Sequence, residues 1–344
     1  METPRPDTPH GIDDEGTRTP CPDSVRRVGS GAGGLAAEEN RRYSGDVSSP
    51  RITEASLKQF VLDLGDKHPP ITLGSADRTI HDPEAVKARF AGVIDYLARV
   101  ELEVDRNVLE LLTILPNVSE VDKIFYQDVW YDQEMAHGYL LDQLQADLGM
   151  ETAEPFMTIP IRMKLLGALA HWEPIHDISR LLYYLTGAST ERQAVLAYSS
   201  LTKELTRMGE TAIAETIIQP IKKQEPGHFA FYKMSAEKMI QDEELKPWQI
   251  YVARLLRSKS FTMVGVDYVK QYQRHFGGVM KALSVDQEME VYAKEIGRLE
   301  ARLLWANEKG MEFPPYFLKA LRESVELYEA QGSFDRPNPN KFVI

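Results

Sequence analysis

Three Glu-x-x-His units stand in this 344-residue chain: Glu134-x-x-His137, Glu173-x-x-His176 and Glu225-x-x-His228. Positions i and i+3 of an α-helix share a face, so each unit aims a carboxylate and an imidazole at one point, the donor set of a transition-metal site. With eight histidines, chance alone produces roughly one such unit, so spacing decides little and context must decide. Two of the units interrupt apolar helical stripes. Glu134 and His137 fall in line with Trp130, Leu141, Leu144 and Leu148, and Glu225 and His228 with Ile218, Ile221, Tyr232 and Met239. The third unit starts a helix at Pro174 and has no Glu at matching height on a facing helix, which makes it a decoy.

A carboxylate in an apolar stripe costs several kcal/mol unless it is neutralised. Each of the two stripes finds a second carboxylate opposite. A turn near Asn117 sets Glu101, 33 positions before Glu134, against the first unit, in a stripe with Leu97, Val104, Val108 and Leu111. Glu103 lies next to it on a more polar face with Arg99, Arg106 and Glu110. A turn at Gly209 sets Glu191, 34 positions before Glu225, against the second unit, on a face with Val195, Tyr198 and Leu205. Glu204 borders the same core, but at a rise of about 1.5 Å per residue it stands about 16 Å from the level of Glu225. Two divalent ions would neutralise the four carboxylates. Glu101, Glu134, His137, Glu191, Glu225 and His228 are therefore the expected metal ligands, and a carboxylate-rich set with imidazole suits iron, with manganese or a mixed Mn/Fe pair as alternatives.

The elements that must carry these residues read as helices throughout, with no strand required. Asp82-Pro83-Glu84 opens a helix that runs to Leu115, before Pro116-Asn117. Further helices span Ser119 to Leu148, Ile161 to Ala170, Asp177 to Met208 and Thr211 to Gln241. The four long ones, joined by tight turns, predict an all-α, four-helix bundle over residues 82–242. Residues 1–50 read as a disordered tail, 51–81 as an N-terminal extension, 243–334 as additional C-terminal helices and 335–344 as a tail. The C-terminal helices are read as Trp248 to Arg257, Met263 to Leu283, Val285 to Asn307 (opened by a Ser284/Gln287 capping box) and Pro315 to Gln331. They are expected to pack on the bundle or in a homodimer interface, with Trp305, Tyr316 and Phe317 as candidates for the latter. Arg254, Arg257 and Lys259 read as a solvated basic face.

Composition narrows the classes. A net charge of −12 disfavours sequence-independent nucleic-acid binding. The one cysteine, Cys21, makes no disulfide framework or Cys-based zinc site, and with no signal-like start and no membrane span a cytoplasmic protein is expected.

One Glu from each of two helices plus Glu-x-x-His from two others is the arrangement of ferritin-like di-iron and di-manganese carboxylate proteins, which this chain resembles over roughly residues 82–242. Its length, its C-terminal helices and Glu191-Arg192 in a small, apolar run look most like the soluble acyl-carrier-protein desaturases. The layout is also similar to the ribonucleotide reductase small subunit and the di-iron arylamine oxygenases. The resemblance implies Glu134 and Glu225 as the bridging pair, and an O2-activating oxidoreductase that desaturates or hydroxylates an acyl chain or N-oxygenates an amine, served by an electron donor. A storage or sensing protein and a metal-free scaffold are the alternatives. Two departures stand out. Pro226 and Gly227 follow Glu225 inside a helix, predicting a π-bulge, a break or a degraded half-site there. Leu141 stands where the reductase's radical tyrosine is expected, so Tyr139, Tyr198 and Tyr232 read as packing or hydrogen-bonding residues. Ile94, Met135, Leu201 and Phe231 are candidates to line a substrate channel.

Overall fold

The computed structural model describes residues 51–331 apart from 115–117, 160, 267–268 and 307, with no side chain described at 112–114, 161–163 and 166. The expectations for the two tails, Cys21, Pro116-Asn117 and Asn307 lie outside these residues. The described chain is helical and contains no strand. Its helices are α1 (Glu54–Lys67), α2 (Pro83–Leu102), α3 (Val104–Ile114), α4 (Glu120–Lys123), α5 (Tyr131–Asp147), α6 (Ile161–Ala170), α7 (Glu173–Met208), α8 (Thr211–Ile213), α9 (Gln219–Gln241), α10 (Pro247–Ser260), α11 (Lys270–Ala282), α12 (Met289–Leu304) and α13 (Pro315–Gln331).

Local chemistry sets the ends of the long helices. The Asp82 carboxylate accepts the Ala85 amide at 3.0 Å, and Pro83 takes the first helical position, where a missing N–H costs nothing. Ser119 caps α4 by accepting the Asp122 amide. Gly209, at φ 88°, supplies the left-handed residue that ends α7. Two antiparallel pairs result. Lys87 near the start of α2 reaches the Gly149 carbonyl beyond the end of α5, and Arg180 near the start of α7 pairs with Glu244 beyond the end of α9.

Several boundaries differ from the sequence reading, each for an identifiable reason. The first long helix is interrupted at Glu103, whose side chain is buried between Arg99 and Arg106 and accepts the Phe156 amide, so the backbone turns there to serve it. The second and fourth contain π segments, Ile124–Trp130 and Ala214–Ile218, each upstream of its Glu-x-x-His unit. Pro226 causes no break, since α9 runs through it as α-helix. Ser284 forms no capping box; its φ of 58° puts it in a left-handed turn before a short 3-10 segment, and the next helix starts at Met289. Arg257 is not solvated but buried against Glu300, and Arg254 lies over Trp305. Trp305 and Tyr316 are half-buried and Phe317 fully buried within the chain.

The apolar core falls into two clusters. One holds Phe90 to Ala98 of α2, Leu140 to Leu148, Tyr198 to Leu205 and Ile213 to Ile221, with the C-terminal helices against it. The other holds Val104 and Leu111, Phe125 to Trp130, Ile178 to Ala188 and Phe231 to Met239, with α1 against it. In all four helical stretches the expected ligands lie between the two clusters, among other buried polar residues such as Gln133, Gln193 and Gln224.

The α7–α9 contact is close beside this layer. A Cβ on Gly187 would stand 2.3–2.5 Å from ring atoms of Tyr232, a buried aromatic that cannot yield by rotating its tip. Gly187→Ala should therefore lower unfolding free energy by about 1–3 kcal/mol in urea titration. The loss should shrink when the same change is made in a Tyr232→Leu background.

Candidate metal centre

Glu101 ends α2, Glu134 and His137 lie on α5, Glu191 on α7, and Glu225 and His228 on α9. All six are buried, both histidines completely. Donor atoms of Glu101, Glu134, His137 and Glu225 lie within 4.8 Å of one another, and so do those of Glu134, Glu191, Glu225 and His228. The two groups share Glu134 and Glu225.

The sharing is visible atom by atom. Nδ1 of His137 faces Glu134 Oε2 at 3.4 Å and Glu225 Oε1 at 3.3 Å, with Glu101 Oε2 at 3.8 Å. Nδ1 of His228 faces the other oxygens of the same two acids, Glu134 Oε1 at 2.8 Å and Glu225 Oε2 at 3.4 Å, with Glu191 Oε2 at 3.8 Å. Each shared carboxylate thus offers one oxygen to each side. Donors held about 2.1 Å from one ion stand roughly 3.0 Å apart in octahedral and 3.4 Å in tetrahedral arrangement, close to these spacings.

Whether the residues fit an ion can be judged from what they leave unmade. Glu134 Oε1, both oxygens of Glu225 and Nδ1 of both histidines are buried, and apart from the imidazole–carboxylate contacts just given they have no hydrogen-bond partner among the described residues. Buried polar atoms are almost always paired, so five such atoms aimed at one place could hold a cation. The donor set fits a pair of divalent metals.

The imidazoles are oriented by a cross-brace. The Nε2–H of His137 donates to Gln224 Oε1 at 2.7 Å, and that of His228 to Gln133 Oε1 at 2.6 Å. Each glutamine precedes the glutamate of the opposite half. The Gln224 amide nitrogen donates to the Pro69 carbonyl at 2.9 Å and that of Gln133 to the His68 carbonyl, so in both residues the oxygen must face the imidazole. An amide oxygen only accepts, which places the imidazole proton on Nε2 and leaves the Nδ1 lone pair for a metal. Neither glutamine was singled out in the sequence; the signal was there in the repeated Gln-Glu-x-x-His of residues 133–137 and 224–228.

Burial, reinforced by the Glu134 charge, pushes the Glu101 and Glu191 carboxyls well above the usual carboxylate range. For Glu134 burial acts upward too, but hydrogen bonds from Glu101 and the imidazoles, with the His228 charge, hold it well below that range. Burial opposes charge on the two imidazoles, yet the carboxylates around them raise both well above the ordinary histidine value. Without metal the site thus keeps its negative charge in check with protons. Tyr198, completely buried, donates its hydroxyl to Glu101 Oε1, and burial with the Glu101 charge keeps that phenol protonated.

Other sequence candidates lie elsewhere. Glu173 is exposed at the start of α7, and His176 pairs with Asp177 at 3.5 Å. Glu204 pairs with Arg89 and Arg207. Tyr139 is exposed, while Tyr232 packs on Gly187 and Phe231. The half-site containing Pro226 is as complete as the other, because Gly227 gives α1 room: a Cβ there would meet Leu64 at 2.2 Å.

A cavity of about 320 Å³ reaches the site, with Glu101, Glu134 and Glu191 in its wall. From there it follows the groove between α2 and α7 past Leu97, Val100, Ala194 and Ala197 to Met263, Phe276, Met280 and Leu283. None of Ile94, Met135, Leu201 and Phe231 lines it. Ile94, Leu201 and Phe231 are plain core, and the outer wall comes from C-terminal segments whose position no helical pattern could foretell.

Comparison with protein-family models, with curated proteins and with solved structures gives no match for this chain.

Metal analysis after reconstitution should find two ions per chain, and Glu134→Ala or Glu225→Ala should abolish the pair, since each removes a donor from both sides. Gln133→Leu and Gln224→Leu should each weaken metal affinity by about 10–100-fold while all six donors remain. Proton linkage has a defined sign. In the metal-free site the carboxylates raise both imidazoles above their ordinary pKa and so favour a second proton, on Nδ1, whereas ligation needs a bare Nδ1. Binding should release protons, seen by calorimetry in buffers of different ionisation enthalpy, and affinity should fall as pH falls.

Proposed function

We propose that this chain is an O2-activating di-metal oxidoreductase with a ferritin-like four-helix bundle, iron as its metal pair, and an apolar or amphipathic organic molecule as substrate. The observation that carries the reading is the junction of the six-residue cluster with the cavity. The cavity leaving Glu101, Glu134 and Glu191 has an apolar stretch, Leu97, Val100, Met263, Phe276, Met280 and Leu283, beside polar residues that include Glu103, Arg106, Asn107 and Glu110, and a storage protein, which passes only ions, has no use for the apolar stretch.

A bound iron pair would supply redox equivalents for reduction of O2. The chain's own residues would do the rest. Glu101 and His137 would hold one ion, Glu191 and His228 the other, with Glu134 and Glu225 spanning both. The two apolar clusters above and below the layer exclude bulk water, which protects an oxidising site from quenching. Tyr198 keeps an oriented O–H against Glu101, fixing which of that carboxylate's oxygens faces the centre. The groove between α2 and α7 would align an extended chain with its reactive carbon at the Glu101, Glu134 and Glu191 end.

An apolar wall favours C–H oxidation of a chain, by hydroxylation or desaturation, over oxidation of an amine. Hydroxylation puts one oxygen atom of O2 into the C–H bond and releases the other as water, consuming two electrons and two protons from outside. An external electron donor is thus part of the reading. Leu141, completely buried in the apolar cluster, puts no tyrosine at that position, which counts against a radical-generating role.

Ferrous-loaded protein mixed with O2 should consume it with a transient visible absorption, and Glu134→Ala should do neither. Continued uptake of iron into a mineral core would overturn the reading in favour of storage. Ala197→Trp, which fills the apolar lobe, should leave two metals per chain but abolish binding of a fluorescent medium-chain fatty acid.

A further inference from the structure

Two short helices, α6 and α10, carry apolar stripes that face outward. Leu165, Leu169 and Trp172 recur at helical spacing along α6 and the residues just after it, and Trp248, Tyr251 and Leu255 do so along α10. All six are exposed, Trp172 to 63% and Tyr251 to 66%, and they are half of the twelve exposed large apolar side chains among the described residues. The stripes converge. Gln249, next to Trp248, donates its side-chain amide to the Pro174 carbonyl at 2.9 Å, two residues after Trp172.

Charge is segregated onto the same segments. In a chain whose acids outnumber its bases by 12, residues 155–172 and 246–266 contain no Asp or Glu at all. Lys164, Lys246 and Lys259 are exposed there and make no salt bridge among the described residues. Glu173, exposed at the start of α7, is the acid nearest the junction. Aromatic and aliphatic side chains flanked by unpaired lysines suit a surface that is apolar inside and anionic outside. We propose that α6 and α10 form a docking face for an anionic lipid bilayer, entering its headgroup boundary without spanning it.

The chemistry separates this occupant from the others. A second copy on a two-fold axis would set the same lysines against one another. An acidic protein would answer the lysines but not two tryptophans, a tyrosine and three leucines on helices lying along the surface, the pattern of interfacial anchoring. No helix among the described residues is long and apolar enough to cross a membrane, so docking would be peripheral. Ser260, exposed at the end of α10, and Arg257 line the cavity described above, which places the face beside a wall of that cavity.

The test is sedimentation of the full chain with extruded vesicles of phosphatidylcholine, alone or with about 30 mol% phosphatidylglycerol. Retention should be at least about tenfold stronger on the anionic vesicles and fall in about 0.5 M NaCl. Trp172→Ser with Trp248→Ser should lose about tenfold in affinity with an unchanged circular dichroism spectrum, since both side chains are exposed. Lys164→Glu, Lys246→Glu and Lys259→Glu together should remove the preference for anionic lipid, and Lys319→Glu, exposed on α13, should not. Failure of the wild type to bind anionic vesicles, or undiminished binding by the double tryptophan variant, would overturn the proposal. So would a solution dimer that the tryptophan substitutions convert to monomer while vesicles retain neither form, which would assign the face to a second copy.

Discussion

Four carboxylates meeting inside an apolar core are the constraint around which the rest of the molecule is arranged. Burial disfavours their charge and four together repel, so the layer needs that charge offset. Without metal, protons favoured on Glu101, Glu191, His137 and His228 offset it, and two divalent ions would do the same. The position of the layer follows from the same constraint. It divides the hydrophobic core into two clusters, and each of the four helical stretches crosses it once with one or two acidic or imidazole residues. Helix phase and helix register are thus set together, since a slip of one turn on any stretch would move a carboxylate into hydrocarbon.

Holding the donors in register takes more than the four stretches. Gln133 and Gln224 reach across the centre, each to the imidazole of the other half, and both end on the backbone of residues 68–69 just after α1. That segment clamps the two halves with carbonyls no side-chain substitution can remove. Below Glu101 a second brace operates. Glu103 leaves the helix to take two arginines and the Phe156 amide, while Arg99 also donates to the Gly265 carbonyl at 2.7 Å. The interruption at Glu103 therefore ties the end of the ligand-bearing helix to the loop that closes the cavity.

This division explains what could be read from the sequence. Glu101 and Glu191 could be found because hairpin geometry is arithmetic: a turn position and a rise per residue determine which residue stands opposite Glu134 or Glu225. Gln133 and Gln224 could not, because a glutamine beside a glutamate looks like a solvated helix face until the segment that bonds it is in place. Pro226 misled for the complementary reason. The local rule for proline in a helix holds for an isolated helix, but α9 is held by packing of its buried face, Pro226 stands on the exposed face, and the neighbouring Gly227 accommodates the approach of Leu64. Glu103, Arg257 and Phe317 show a third failure. Their charge or exposure depended on partners at residues 156, 300 and 261, contacts that periodicity does not encode.

The centre is nearly symmetric where it would bind metal and asymmetric everywhere else. The two halves repeat Gln-Glu-x-x-His, follow a π segment and exchange glutamines, which would treat two ions alike. Tyr198 then marks Glu101, and the cavity opens along α2 and α7 under α11 and the loop through Met263, a wall built entirely from sequence beyond residue 242. A symmetric pair of ions has no preferred direction of attack. On the proposed reading the direction would come from the protein, through the groove that reaches the layer, and the C-terminal residues that shape that groove carry no metal-binding signature. The donor cluster and the cavity wall are thus written in different parts of the chain, which is why the first was legible from spacing and the second only from the assembled fold.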